Sequence, residues 1–138
     1  MYRKDFLKST FAMCGLAAIP TGILQSCSKQ SYAAPSNVNF TIDLSQASNA
    51  ALNSVGGYIL SNGLIITRYN ATTFTALSAT CTHNGCTVYY NPTSMAITCP
   101  CHGGTFDANT GNVLGGPPPS GLTKYSVSKS GTILTIKS

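Results

Sequence analysis

Val38-Asn39-Phe40-Thr41-Ile42-Asp43-Leu44 alternates apolar and polar residues without a break, the pattern of a strand with one buried face. Tyr58-Ile59-Leu60 and Leu64-Ile65-Ile66-Thr67-Arg68-Tyr69 flank Ser61-Asn62-Gly63, a turn sequence that predicts a hairpin. Phe74 to Leu77 predicts another short strand. Thr87-Val88-Tyr89-Tyr90 and Met95-Ala96-Ile97-Thr98 enclose Asn91-Pro92-Thr93-Ser94 and read as a second hairpin. Asp107 to Gly111 is a turn, Asn112-Val113-Leu114 a short strand, and Gly115 to Pro119 a stiff connection. Leu122 to Val127 and Thr132 to Ile136 close the chain as two strands around Lys129-Ser130-Gly131. Ser45 to Asn53 reads as one helical turn or a loop. No long helical period runs through residues 37–138 and no internal repeat is present, so the pattern predicts one β-rich domain.

The amino terminus has a different texture. A basic start is followed by an apolar run from Phe11 to Leu24 and small polar residues before Cys27, the layout of an export signal over residues 1–26. The run is 14 residues, short of the about 20 that span a bilayer. Leu24-Gln25-Ser26-Cys27 resembles the lipobox of bacterial lipoproteins, which makes Cys27 the expected lipidation site. Arg3-Lys4-Asp5-Phe6-Leu7-Lys8 resembles a twin-arginine signal with Lys4 in place of the second Arg, and such signals export folded proteins. Residues 27–36 are polar and contain Pro35, the composition of a flexible tether.

Charge changes little once the signal is set aside. The whole chain of 138 residues carries a formal +5, but from Cys27 onward five cations face Asp43 and Asp107, leaving +3. With no basic patch interleaved with aromatics, nucleic acid is not an expected partner. With 43% apolar residues the chain is not a disordered one.

The candidate chemistry is concentrated between Cys81 and Phe106. Both histidines and four of the six cysteines lie there, as Cys81-Thr82-His83-Asn84-Gly85-Cys86 and Cys99-Pro100-Cys101-His102-Gly103-Gly104. The intervening hairpin would project both loops from one end of the domain. Thiolates and neutral imidazoles in a two-plus-two set suit tetrahedral zinc, as in a zinc-stabilised binding module. They equally suit a [2Fe–2S] centre with two histidines on one iron. Spacing separates the two, since each loop offers one Cys and one His, whereas structural zinc fingers more often pair like with like. No nucleophile–base pair or phosphate-binding glycine loop points to an independent enzyme.

These two loops resemble those of the Rieske iron–sulfur proteins, of the disulfide-containing type found in cytochrome bc complexes and the arsenite oxidase small subunit. Cys-Thr-His-x-Gly-Cys and Cys-Pro-Cys-His-Gly occur in order, with 15 residues between His83 and Cys99. The resemblance implies an all-β Rieske fold, an antiparallel β-sandwich spanning 37–138 with a small inserted cluster-binding subdomain at about 78–119. It implies that Cys81 and Cys99 bind one iron and His83 and His102 the other, in one [2Fe–2S] cluster. It also implies a disulfide between Cys86 and Cys101, consistent with an oxidising compartment. Gly116-Pro117-Pro118-Pro119 is similar to the family's proline loop, which covers the cluster from a third side.

Three positions depart from the family pattern. High-potential members commonly carry Ser at the place of Gly104 and Tyr at the place of Phe106, whose hydroxyls hydrogen-bond the cluster. Quinol-oxidising members often have Leu at the place of Asn84. Together with the export signal and Cys27, the resemblance and these departures imply an exported, membrane-tethered carrier on the periplasmic side, of lowered potential, exchanging one electron with a cytochrome or an oxidoreductase complex. A Rieske subunit of a quinol-oxidising bc-type or arsenite-oxidase-like complex is the second expectation.

Overall fold

The computed structural model describes residues 32–138. The export segment, Cys27 and the tether as far as residue 31 lie outside the described residues. The strands are β1 (Asn39–Asp43), β2 (Tyr58–Ser61), β3 (Leu64–Arg68), β4 (Phe74–Ser78), β5 (Tyr89–Asn91), β6 (Ala96–Thr98), β7 (Thr105–Asp107), β8 (Val113–Gly115), β9 (Lys124–Ser130) and β10 (Ile133–Lys137). A six-stranded sheet has the order β1-β10-β9-β4-β3-β2, and a four-stranded sheet the order β5-β6-β7-β8. Every pairing is antiparallel.

Burial explains why apolar residues run consecutively in β3. In β3, Leu64 and Ile66 join Ile42, Ala76, Leu134 and Ile136 in one core. Ile65, between them, points the other way and joins Leu77, Val88, Tyr90, Ile97 and Phe106 in a second core. A strand covered on both faces must be apolar at consecutive positions. β3 and β4 thus carry both cores, and the small sheet that supports the two loops is packed directly onto them.

The β2–β3 turn has Asn62 at φ 51° and Gly63 at φ 75°, the two positive values that a two-residue hairpin turn requires. Ser45 to Asn53 turns out to hold a 3-10 helix at Ala47–Asn53, longer than the single turn expected. Its only buried residue is Leu52, which is why the sequence shows no period there. Side-chain amides hold it instead, Asn49 Nδ2 donating to Asp43 O at 2.8 Å and Asn53 Nδ2 to Leu44 O at 3.1 Å. β7 has no counterpart among the expected strands, since Thr-Phe-Asp is too short to display alternation; it pairs with both β6 and β8.

The described end of the expected tether lies against the domain. Tyr125 Oη donates to Pro35 O at 2.7 Å, Ala34 packs on the core beneath β3, and the Tyr32 ring sits where a side chain on Gly85 would be.

The β7–β8 turn is organised by Asp107. Its carboxylate accepts from Thr110 N–H at 2.7 Å, Asn109 N–H at 2.9 Å and Thr110 Oγ1 at 3.0 Å. The Thr110 amide does most to hold this carboxyl below the usual range, with the Thr110 hydroxyl, the Asn109 amide and Lys124 assisting against some desolvation. A depressed folded-state pKa contributes stability above the unfolded value of about 3.9 and loses it as pH falls through the lower folded value. Asp107→Ala should cost about 1 kcal/mol at neutral pH. Asp107→Asn keeps an acceptor and should shrink the acid limb of the stability curve, read as melting temperature between neutral pH and pH of about 3.

Candidate metal centre

The two loops repeat the same hydrogen-bonded pattern, each within itself. In the first, Cys81 N–H donates forward to Cys86 O at 2.8 Å and Gly85 N–H donates back to Cys81 O at 2.9 Å. In the second, Cys99 N–H donates forward to Gly104 O at 2.7 Å and Gly103 N–H back to Cys99 O at 3.1 Å. Offsets of five and four residues recur in both. Gly85 at φ +74° and Gly103 at φ +71° occupy the same place in the pattern, a left-handed conformation that glycine adopts without strain. The Thr80–Thr87 bridge closes the first loop at its base, and β6 and β7 close the second.

This pattern buries the thiols and brings the imidazoles outward. Cys81 and Cys99 are free cysteines at 0% and 2% exposure, whereas His83 is half-buried and His102 exposed. The two imidazole rings stand edge to face, centroids 4.7 Å apart. Burial pushes the Cys81 thiol above its ordinary pKa, and the nearby Cys99 adds to this. Backbone N–H groups of His83 and Asn84 aimed at the same sulfur act in the opposite direction.

His83 Nδ1 is buried with no hydrogen-bond partner. Buried polar atoms are rarely left without one, so an orphan nitrogen on the loop that also buries the Cys81 thiol fits a metal-bearing group. Cys86, Cys99 and Cys101 bring their sulfurs within 4.8 Å of one another, but they do not form a thiolate triad. Cys86 and Cys101 are joined in a disulfide across the loops, with Cα atoms 6.4 Å apart. The available donor set is therefore the two remaining cysteines and the two histidines.

Asn84 is exposed at the tip of the first loop, its Nδ2 at 3.4 Å from His102 Nδ1. Phe106 is fully buried among Val88, Tyr90 and Ile97, and Gly104 is buried as well. Gly116 lies against the backbone of Gly103 and Gly104, and within Pro117-Pro118-Pro119 only Pro118 is buried. Two contacts have no sequence signal. Thr82 Oγ1 donates to Ser120 O at 2.7 Å, tying the first loop to the end of the proline segment, and Tyr32 covers Gly85.

The Rieske [2Fe-2S] domain family matches residues 41–126, more than half of the chain and all of both loops. The chain belongs to the Rieske family. Its cofactor is a Rieske-type [2Fe–2S] cluster. The cytochrome b6-f complex iron-sulfur subunit of Chlorobaculum tepidum is 36% identical over 70 residues, which cover 51% of this Rieske protein and 38% of that subunit. The chain thus spans less than half the length of this relative. The cyanobacterial plasma membrane Rieske protein PetC3 from Synechocystis PCC 6803 superimposes with a TM-score of 0.58 at 30% identity, covering 72% of this chain and 99% of that one. A chain of a hyperthermophilic respiratory Complex III gives a TM-score of 0.51 at 25% identity, over 81% of this chain and 82% of that one.

Proposed function

We propose that this protein is an exported, membrane-tethered one-electron carrier, with Cys81 and Cys99 holding one iron through Sγ and His83 and His102 holding the other through ring nitrogens. The observation that carries this reading is the separation of the donors, with thiols buried and imidazoles at the surface on two loops joined by a disulfide. Such a centre, when bound, takes up and releases one electron at a potential of about −150 to +300 mV. The chain's own part is to enclose the sulfur side, aim the His83 and Asn84 amides at Cys81, and present the imidazole edges to a partner. The cluster-binding subdomain is taken as 78–119 within a domain of 37–138, preceded by the tether at 27–36 and the export signal.

Purified protein tests this directly. Two irons and two sulfides per chain, with a Rieske-type EPR signal on reduction, are the expected result. A colourless sample holding one zinc and silent in EPR would establish the zinc-stabilised module instead. Mass spectrometry of the mature amino terminus decides whether Cys27 is lipidated.

Gly104 and Phe106 offer no hydroxyl to the cluster, and Phe106 is enclosed by apolar side chains. Hydrogen bonds to charged acceptors are worth about 1.5–3 kcal/mol, and their absence removes a stabilisation of the reduced state. Potentiometric titration should give a midpoint well below the upper limit of about +300 mV. A value at that limit would contradict the low-potential assignment.

The names of the relatives favour a second reading, a subunit of a cytochrome b6-f or bc-type complex with cytochrome and quinol as partners. Among the described residues no helix is long and apolar enough to cross a membrane. Isolation from native membranes discriminates the two, because a subunit co-purifies stoichiometrically with a cytochrome and a tethered carrier does not.

A further inference from the structure

We infer that Pro118 is seated in the space Gly104 leaves by having no side chain, and that this pair locks the proline loop onto the second cluster-binding loop. A Cβ placed on Gly104 would lie 2.5 Å from Pro118 Cγ and 3.0 Å from Pro118 Cδ. Carbon atoms in favourable contact stand about 3.5–4.0 Å apart, so a side chain at 104 and the pyrrolidine ring cannot both occupy this place. The same Cβ would be 3.6 Å from Cys99 Cβ, an ordinary contact. The obstruction therefore comes from the proline loop and not from the cysteine.

Gly116 repeats the fit two residues earlier. A Cβ there would meet Gly104 Cα at 2.8 Å, Gly103 O at 3.0 Å and Gly104 N at 3.1 Å, and its φ of +85° is one that glycine alone adopts readily. Backbone thus lies on backbone at 116, and a ring fills the gap at 104. Pro118 is buried there while Pro117 and Pro119 on either side are exposed. Its fixed φ makes the loop stiff, so the position of the ring is transmitted rather than absorbed.

What it is transmitted to is the second loop. Gly104 O accepts the Cys99 N–H at 2.7 Å, and Gly103 N–H returns to Cys99 O at 3.1 Å, with His102 held between the two. A displaced residue 104 moves both of the second loop's candidate ligands. Pro118 is accordingly a positioning residue that acts through Gly104 on Cys99 and His102. A consequence is that Gly104→Ser does not simply supply a hydroxyl donor, because with Pro118 in place it levers the proline loop away.

The functional half of this inference rests on the proposed ligand assignment, and a double-mutant cycle separates the two. Pro118→Ala deletes the two ring atoms that the methyl group added by Gly104→Ala would strike. Those two single variants and the double variant complete the cycle, with the exposed Pro119→Ala as comparison. The readouts are the rate of bleaching in a chelator, the EPR g-values and the melting temperature. Gly104→Ala should lose its cluster about tenfold faster than wild type and shift the g-values, and the double variant should return to within about threefold of Pro118→Ala.

Additive effects in the cycle, or equal relief by Pro119→Ala, would overturn the inference. Should Gly104→Ala not fold, the methyl added in the Pro118→Ala background must be nearly neutral in melting and bleaching; a large loss there overturns it too. Failure of the ligand assignment shows elsewhere, as a wild-type protein without a Rieske EPR signal. The same cycle read by melting temperature then still decides the packing.

Discussion

Cys99→Ser is expected to yield a folded protein with almost no iron. The substitution is nearly isosteric at a site only 2% exposed, so packing changes little. The chemistry changes far more, because a hard, undissociated hydroxyl replaces the soft thiolate that an iron–sulfur centre needs. Outer-shell partners of metal ligands are commonly worth about 10- to 100-fold in affinity, and removal of a ligand itself should exceed that. The core formed by Leu52, Leu64, Ile66, Leu134 and Ile136 lies on the other face of β3 and β4, away from the loops. Far-UV circular dichroism should therefore retain the β signature while bound iron and the reduced EPR signal disappear. His83→Ala should have the same outcome through the other iron. Full iron content and an unaltered EPR signal in either variant would refute the ligand assignment.

The contrast between what the sequence displays and what only the structure shows follows contact range. The alternation in Val38–Leu44 can be read from one segment alone, although β1 forms there by pairing with β10 at the far end of the chain. The Asn62-Gly63 turn is likewise local, since only its own dihedral angles matter. Cysteine and histidine stand out by chemistry, so the loops at 81–86 and 99–104 are conspicuous before any fold is known. The 3-10 helix at Ala47–Asn53 is obscure because one buried leucine and two amide–carbonyl bonds do the work of an apolar face. Three contacts around the site are invisible for a different reason. Thr82 meets Ser120, Gly104 meets Pro118 and Gly85 meets Tyr32 across long sequence separations, and neither member of each pair carries a mark of its partner. A glycine reads the same whether it makes a turn or makes room.

Removal of the disulfide by Cys86→Ser with Cys101→Ser should loosen the loops without dissolving the domain. The bond closes a separation of 15 residues, which in the chain-entropy treatment is worth about 3 kcal/mol. For a domain of this size the melting temperature should fall by on the order of 10 °C. The larger effect is local, because the loops otherwise meet through the buried Cys81 and Cys99, the long Asn84–His102 contact, the edge-to-face imidazoles and, by way of the proline segment, Thr82–Ser120. Opening the loops needs less free energy than global unfolding, so cluster loss should accelerate more than unfolding does. Cys101 is exposed and Cys86 half-buried, which puts the bond within reach of a soluble thiol. Wild-type protein treated with dithiothreitol should then bleach in a chelator at the rate of the double variant, and reoxidation should restore its resistance. Equal bleaching rates with and without the disulfide would show that the hydrogen bonds within each loop, closed at their bases by the Thr80–Thr87 bridge and by β6–β7 pairing, hold the centre unaided.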